Sequence, residues 1–70
     1  MNISGVAKSE FEIQTVETRL KEAGLYERYE GQVRGPEYAL INVRVRDTAE
    51  KEQVIGILEN SGVVEIFYRD

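Results

Sequence analysis

Residues 38–62, YALINVRVRDTAEKEQVIGILENSG, indicate the fold most clearly because they join a strand pattern directly to a helix pattern. The opening residues of this stretch alternate between apolar and polar side chains, as expected for an extended chain with one buried face. The apolar positions are Ala39, Ile41, Val43 and Val45. Asp47 then stands three residues before Glu50, which is the spacing of a capping box. Gly62 ends the stretch as a helix stop.

The same pattern occurs once before, in ISGVAKSEFEIQTVETRLKEAG, residues 3–24. Ser9 stands three residues before Glu12 as a second capping box, and Gly24 closes the predicted helix. Apolar or small residues recur at steps of three and four in both helical stretches, so each helix should bury one face. These positions are Ile13, Val16, Leu20 and Ala23 in the first stretch and Val54, Ile57, Leu58 and Ser61 in the second.

Three further stretches are predicted to be strands, over residues 2–7, 28–33 and 63–69. A turn at Gly35 and Pro36 would return the second of these antiparallel into Tyr38. Strict alternation gives the strand over residues 63–69 two distinct faces. It predicts Val64, Ile66 and Tyr68 on the face toward the helices and Val63, Glu65, Phe67 and Arg69 on the opposite face.

The resulting order, βαββαβ, predicts a ferredoxin-like α+β fold in which a four-stranded antiparallel sheet carries two helices on one face. The chain of 70 residues forms a single domain, residues 1–70. A domain of this size buries only about 60% of the surface of its unfolded chain. Its core is therefore small.

Composition excludes several classes of chemistry. The sequence contains neither cysteine nor histidine, so thiolate chemistry and histidine metal sites are ruled out, and no metal or other cofactor is predicted. Most carboxylates fall on predicted helix exteriors or first turns, where they complement the helix dipole. We therefore expect a protein that is not an enzyme. The sequence shows no signal peptide and no apolar run of membrane-spanning length, so we expect a soluble, cytoplasmic protein without membrane partners.

The net charge of −4 disfavours binding to nucleic acids, whose affinity depends on clustered lysine and arginine. One alternative comes from Tyr38 and Leu40, which occupy the third strand where RNA-recognition domains place base-stacking aromatic residues. Leu40 is not aromatic, and Pro36 and Glu37 stand where a basic residue and glycine are expected. We therefore expect no nucleic-acid partner.

The sheet face opposite the helices is the predicted interaction surface. If the buried side of the third strand faces the helices, four apolar residues remain on the open face: Tyr38, Leu40, Val63 and Phe67. A contiguous apolar cluster usually marks an interface, and a two-fold homodimer is its commonest form. The sequence therefore predicts a homodimer in which the two sheets pack on each other.

Three arginines could share this face and bind an anion: Arg44, Arg46 and Arg69. Arginine forks match the geometry of carboxylate and phosphate groups. The alternative is that they pair across strands with Glu65 and neighbouring acids at the rim of an interface.

Parts of both halves resemble the small N-terminal domain of bacterial general stress and heat-induced stress proteins, and their low-temperature-induced relatives. The matching segments are residues 4–6, 20–25, 39–45 and 57–66. The segment between Leu25 and Pro36 is shorter and more charged here, and Ala7 replaces the usual aromatic residue. The resemblance implies a stress-related role and supplies no catalytic residues.

Three hypotheses of function follow. The first is a small non-enzymatic interaction module that works as a homodimer. The second is a regulatory domain for a small anion or amino acid, similar to ACT domains in topology only. The third is a dimeric α+β barrel enzyme with tyrosines and carboxylates in a shared cavity, in which Tyr38 or Glu65 would carry a strongly shifted pKa.

Overall fold

The computed structural model describes residues 1–69 and shows the ferredoxin-like fold predicted from the sequence. Its elements are β1 (Asn2–Ala7), α1 (Glu10–Glu22), β2 (Tyr29–Arg34), β3 (Ala39–Arg44), α2 (Thr48–Asn60) and β4 (Val64–Arg69), with a single 3₁₀ turn over Tyr26–Arg28. The four strands form one antiparallel sheet in the order β2-β3-β1-β4. No helix within residues 1–69 is long and apolar enough to cross a membrane.

The two helices begin with the same side-chain cap. Ser9 Oγ accepts a hydrogen bond from the Glu12 amide at 3.2 Å, and Asp47 Oδ1 accepts one from the Glu50 amide at 2.9 Å. Each glutamate also reaches back to the residue before the cap, as Glu12 Oε1 does in accepting a bond from the Lys8 amide at 2.9 Å. These bonds satisfy amides that have no partner inside the helix. Both predicted helix starts are confirmed.

The two helices also end in the same way, and this motif buries Val63. Gly62 adopts a positive φ of 89°, and the Val63 amide donates to the Leu58 carbonyl at 3.0 Å. This is the Schellman arrangement, in which the residue after the glycine packs back on the helix. Gly24 and Leu25 close α1 in the same way. Val63 is 4% exposed and lies in the core, so its predicted place on the open face is wrong.

The core lies between the sheet and the helices. The buried face of β3 and of the residue that follows it is the one predicted from the alternation, namely Ala39, Ile41, Val43 and Val45. Ile13, Val16 and Leu20 of α1 and Val54 and Leu58 of α2 pack against it. The opposite face of the sheet carries no helix and is called the open face below.

A bulge in β4 changes which of its residues reach the open face. Ser4 pairs with Phe67, but Val6 pairs with Val64, so two residues of β4 lie opposite Gly5. Glu65 in this bulge has a φ of 53°, an uncommon conformation for a residue with a side chain. The bulge places Val64 on the open face, opposite to the strict alternation predicted from the sequence. The faces of residues 66–69 are as predicted.

Candidate functional site

The strand register arranges the open face in three parallel rows. Residues directly opposite one another in an antiparallel pair project from the same face of the sheet. The first row crosses all four strands and is entirely apolar. We call it the apolar row, and it consists of Val33, Leu40, Val6 and Val64.

Two aromatic residues extend the apolar row into a patch. Tyr38 precedes Leu40 by two residues, and Phe67 lies opposite Ser4 in the second row. The apolar row together with Tyr38 and Phe67 is called the apolar patch. Four of its six residues are widely exposed, at 64% for Val33, 53% for Phe67, 52% for Tyr38 and 44% for Val64, whereas Leu40 is half-buried and Val6 is buried. A cluster of this kind is unusual on a free monomer surface.

A groove of about 700 Å³ runs over the patch beside the β2–β3 turn. It is lined by Val6, Val33, Tyr38, Leu40 and Phe67, together with turn and rim residues. Three residues of the predicted interface, Tyr38, Leu40 and Phe67, are therefore brought together. Sequence reasoning missed Val6, Val33 and Val64, whose membership depends on strand register.

Charged side chains of both signs frame the groove. Lys8, Glu37 and Glu65 line its edge. Arg34 also lines it, but its guanidinium is engaged by Glu10, with Nη2 2.7 Å from Oε2 and 3.0 Å from Oε1. Besides the engaged Arg34, the rim of the groove therefore carries one lysine and two carboxylates.

The second row of the open face is small and polar. Gly31, Asn42 and Ser4 lie abreast, with Phe67 at the end of the row. Ser4 Oγ donates a hydrogen bond to Asn42 Oδ1 at 2.8 Å, which ties β1 to β3 on this face. This row separates the apolar patch from the third row.

The third row contains two of the three arginines predicted to bind an anion. Asn2 pairs with Arg44 on one side and with Arg69 on the other, so the three side chains lie abreast. We call them the basic row. Arg44 Nη1 lies 3.8 Å from Glu30 Oε2, and both side chains are exposed. This pair between β3 and β2 is of the kind that the alternative predicts for neighbouring acids, whereas no ion pair with Glu65 forms within residues 1–69.

Arg46 does not belong to this row, so its predicted place on the open face is wrong. It stands just before the α2 cap, where its Nε and Nη2 donate to Glu50 Oε2 at 3.0 and 2.7 Å. Its backbone amide donates to Glu50 Oε1 at 2.9 Å, and Arg28 Nε lies 3.4 Å from the same oxygen. These bonds from Arg46 hold the pKa of Glu50 below its usual range and raise that of Arg46. The pair fixes the start of α2.

Tyr29 lies on the helix side of the sheet and packs against the core. Partial burial, with nearby Glu17 as a second cause, raises the pKa of Tyr29 to about 12. Its hydroxyl therefore stays protonated at neutral pH. Within residues 1–69, no three carboxylates cluster in a way that could hold a metal ion.

Both edge strands of the sheet carry bulges. In β4 the bulge is at Glu65, and in β2 the extra residue is Glu30, next to Gly31 with a φ of 105°. Bulges at an edge disturb the unpaired backbone groups that another strand would need. The open face, rather than either edge, is therefore the surface best suited to contact.

No protein-family model, curated protein or solved structure matches this chain. The resemblance to bacterial stress proteins stays a prediction.

Proposed function

We propose that this chain is a small non-enzymatic interaction module that associates as a homodimer through its open sheet face. The observation that carries the proposal is the apolar row, because it runs without interruption across all four strands. Burying Val33 and Val64, together with Tyr38 and Phe67, removes apolar surface from water, which is the main driving force of association. A stress-related role is proposed from the sequence resemblance alone.

The charges around the groove favour a second copy as the occupant. In a two-fold interface each residue contact occurs twice, so a surface must be complementary to itself. The rim meets this condition, because Lys8 of each copy can pair with Glu37 or Glu65 of the other copy. Apolar side chains would meet at the centre, with opposite charges around them.

The basic row lies far enough from the apolar patch that the arginines of two copies would not repel each other in a dimer centred on the patch. Arg44 lies four residues beyond Leu40 along β3, about 13 Å at the usual rise of a strand. A two-fold axis through the apolar patch would therefore send the arginines of the two copies to opposite ends of the interface. Like charges would stay apart.

The size of the domain adds a further reason for association. A 70-residue chain without disulfides has a small core and a thin margin of stability. Covering the open face would extend the buried apolar region to the other side of the sheet. Dimerisation therefore stabilises the folded chain as well as forming the module.

The concentration dependence of thermal unfolding tests this proposal. A dimer that unfolds to separated chains has a Tm that rises with protein concentration, whereas the Tm of a monomer does not change. We expect the Tm of the wild type to rise with concentration and that of Phe67→Glu to be lower and independent of concentration. A wild-type Tm that is constant over the whole concentration range would refute the homodimer.

A further inference from the structure

We propose that the basic row is a binding site for a small phosphate-type dianion, either free phosphate or the phosphate group of a monoester. The site consists of Arg44, Asn2 and Arg69, which the register places abreast on β3, β1 and β4. Two guanidinium groups and a side-chain amide offer only hydrogen-bond donors and one neutral acceptor. Such a set matches the acceptor oxygens of phosphate.

The spacing across the sheet suits two arginines that converge on one anion. Their backbones are two strands apart, or about 10 Å at the usual distance between neighbouring strands. Each side chain is long enough to bring its guanidinium over Asn2, which lies between them. A single tetrahedral anion above Asn2 can therefore accept hydrogen bonds from both arginines.

The side chain of Asn2 contains a polar atom without a hydrogen-bond partner among residues 1–69. This atom, Oδ1, is buried. A buried polar atom without a partner is costly and calls for an explanation such as a missing ligand or water. Because this atom is an acceptor, its partner must be a donor such as water, and Asn2 offers the anion only the NH₂ group of its side chain.

Among residues 1–69, carboxylates compete only weakly for the arginines of the basic row. The ion pair between Arg44 and Glu30 is long and exposed, and exposed pairs contribute little. Within residues 1–69, Arg69 makes no salt bridge, whereas Arg28, Arg34 and Arg46 are held by carboxylates. The basic row is thus the part of the open face where arginine is most available to an added anion.

The net charge of the chain favours a small anion over a long polyanion. With a net charge of −4, the chain as a whole repels long polyanions, whose binding needs many cationic contacts. A small dianion needs only the local row. The observations therefore favour a compact phosphate over a nucleic-acid strand.

Titration with inorganic phosphate at constant ionic strength, followed by two-dimensional NMR of the backbone amides, tests the proposal. We expect saturable shifts at residues 2, 44 and 69, with binding weakened about tenfold or more in both Arg44→Gln and Arg69→Gln. Arg19→Gln, an exposed arginine on α1, is the matched control and should bind phosphate as the wild type does.

The same titration separates this site from the proposed dimer. Because all three residues belong to one chain, a Phe67→Ser variant, which weakens the apolar patch without adding a carboxylate beside Arg69, should bind phosphate even if it is a monomer. Shifts that do not saturate, or that survive in the Arg44→Gln, Arg69→Gln double variant, would overturn the site. Binding of a single-stranded oligonucleotide without binding of phosphate or a phosphate monoester would also overturn it.

Discussion

Val63 packs directly over Gly5, so that a β-carbon built on Gly5 would lie 2.6 Å from Val63 Cγ1. This contact joins the middle of β1 to the residue that closes α2. It also occurs beside the bulge of β4, where two residues lie opposite Gly5. The absence of a side chain at Gly5 is therefore what allows Val63 to enter the core.

The first prediction concerns this contact. Gly5→Ala should lower the free energy of unfolding by about 1–3 kcal/mol, the usual effect of overpacking a core. Val63 is β-branched and buried, so it cannot move aside freely. Chemical denaturation at fixed protein concentration measures the effect.

Two further variants make the test specific. In the Gly5→Ala, Val63→Ala double variant the added methyl group has room. The double variant should therefore lose less free energy of unfolding than the sum of the losses of the two single variants. Gly56→Ala is the control, because a β-carbon there meets nothing within 4 Å and Gly56 lies inside α2. It should stabilise the protein by about 0.5–1 kcal/mol. Additive losses in the double variant would show that Gly5 is required for another reason.

The second prediction concerns the buried face of β3. Val43 is fully buried, so Val43→Asp places a charge without a partner in the core. The cost is several kcal/mol, comparable with the whole stability of a small domain, roughly 5 kcal/mol. We expect the variant to lose its cooperative thermal transition by circular dichroism.

Val33→Asp is the matched control for Val43→Asp. It makes the same substitution at a valine that is exposed on the open face. This variant should keep a cooperative transition, although its association should weaken. A cooperative, wild-type-like transition for Val43→Asp together with its loss in Val33→Asp would show that the two sheet faces are reversed.

The third prediction concerns pH and the pair formed by Arg46 and Glu50. Hydrogen bonds from Arg46 hold the pKa of Glu50 below its usual range in the folded state. Glu50 therefore contributes stability that is fully present above its unfolded pKa, about 4.3, and is lost as the pH falls through the lower folded value. Glu50→Gln should be less stable near pH 7 and should lose less stability on acidification.

Denaturation curves from pH 7 down to pH 3 measure this difference. Glu52→Gln, an exposed glutamate on the same helix, is the control and should follow the wild type. Parallel curves for the wild type and Glu50→Gln would show that the Arg46 bonds do not stabilise the fold.

The helices and the third strand could be predicted because their signals are local. The Ser9 and Asp47 caps and the closing glycines act through bonds that span only a few residues, so spacing alone reveals them. In β3 one face is buried along the whole strand, so the alternation of the sequence alone predicts which residues are buried. These elements have the strongest patterns in the chain.

The placement of Val63 and Val64 could not be obtained from alternation, because the bulge at Glu65 shifts the pattern by one residue. A local signal for Val63 did exist. An apolar residue directly after the closing glycine of a helix usually packs back on its last turn, as Leu25 does after Gly24. Comparison of the two repeats would have placed Val63 in the core.

The open face was only partly predictable for a different reason. Val33, Val6 and Val64 join Leu40 through the register of three strand pairs, which no local pattern specifies. Arg46 was misplaced because the predicted strand was extended past Arg44, to residues that instead lead into the α2 cap. Its spacing of four from Glu50 was the signal for an ion pair.

The proposed homodimer joins two copies of this chain through the open face. Molar mass by light scattering over a range of concentrations, for the wild type, Phe67→Glu and Phe11→Glu, tests it most directly. Phe11 is the matched control because it is 76% exposed on α1, away from the sheet. The proposal predicts about twice the 8.0 kDa of one chain for the wild type and Phe11→Glu, and a folded monomer for Phe67→Glu. A wild type that stays monomeric, or a dimer that survives Phe67→Glu, would contradict it.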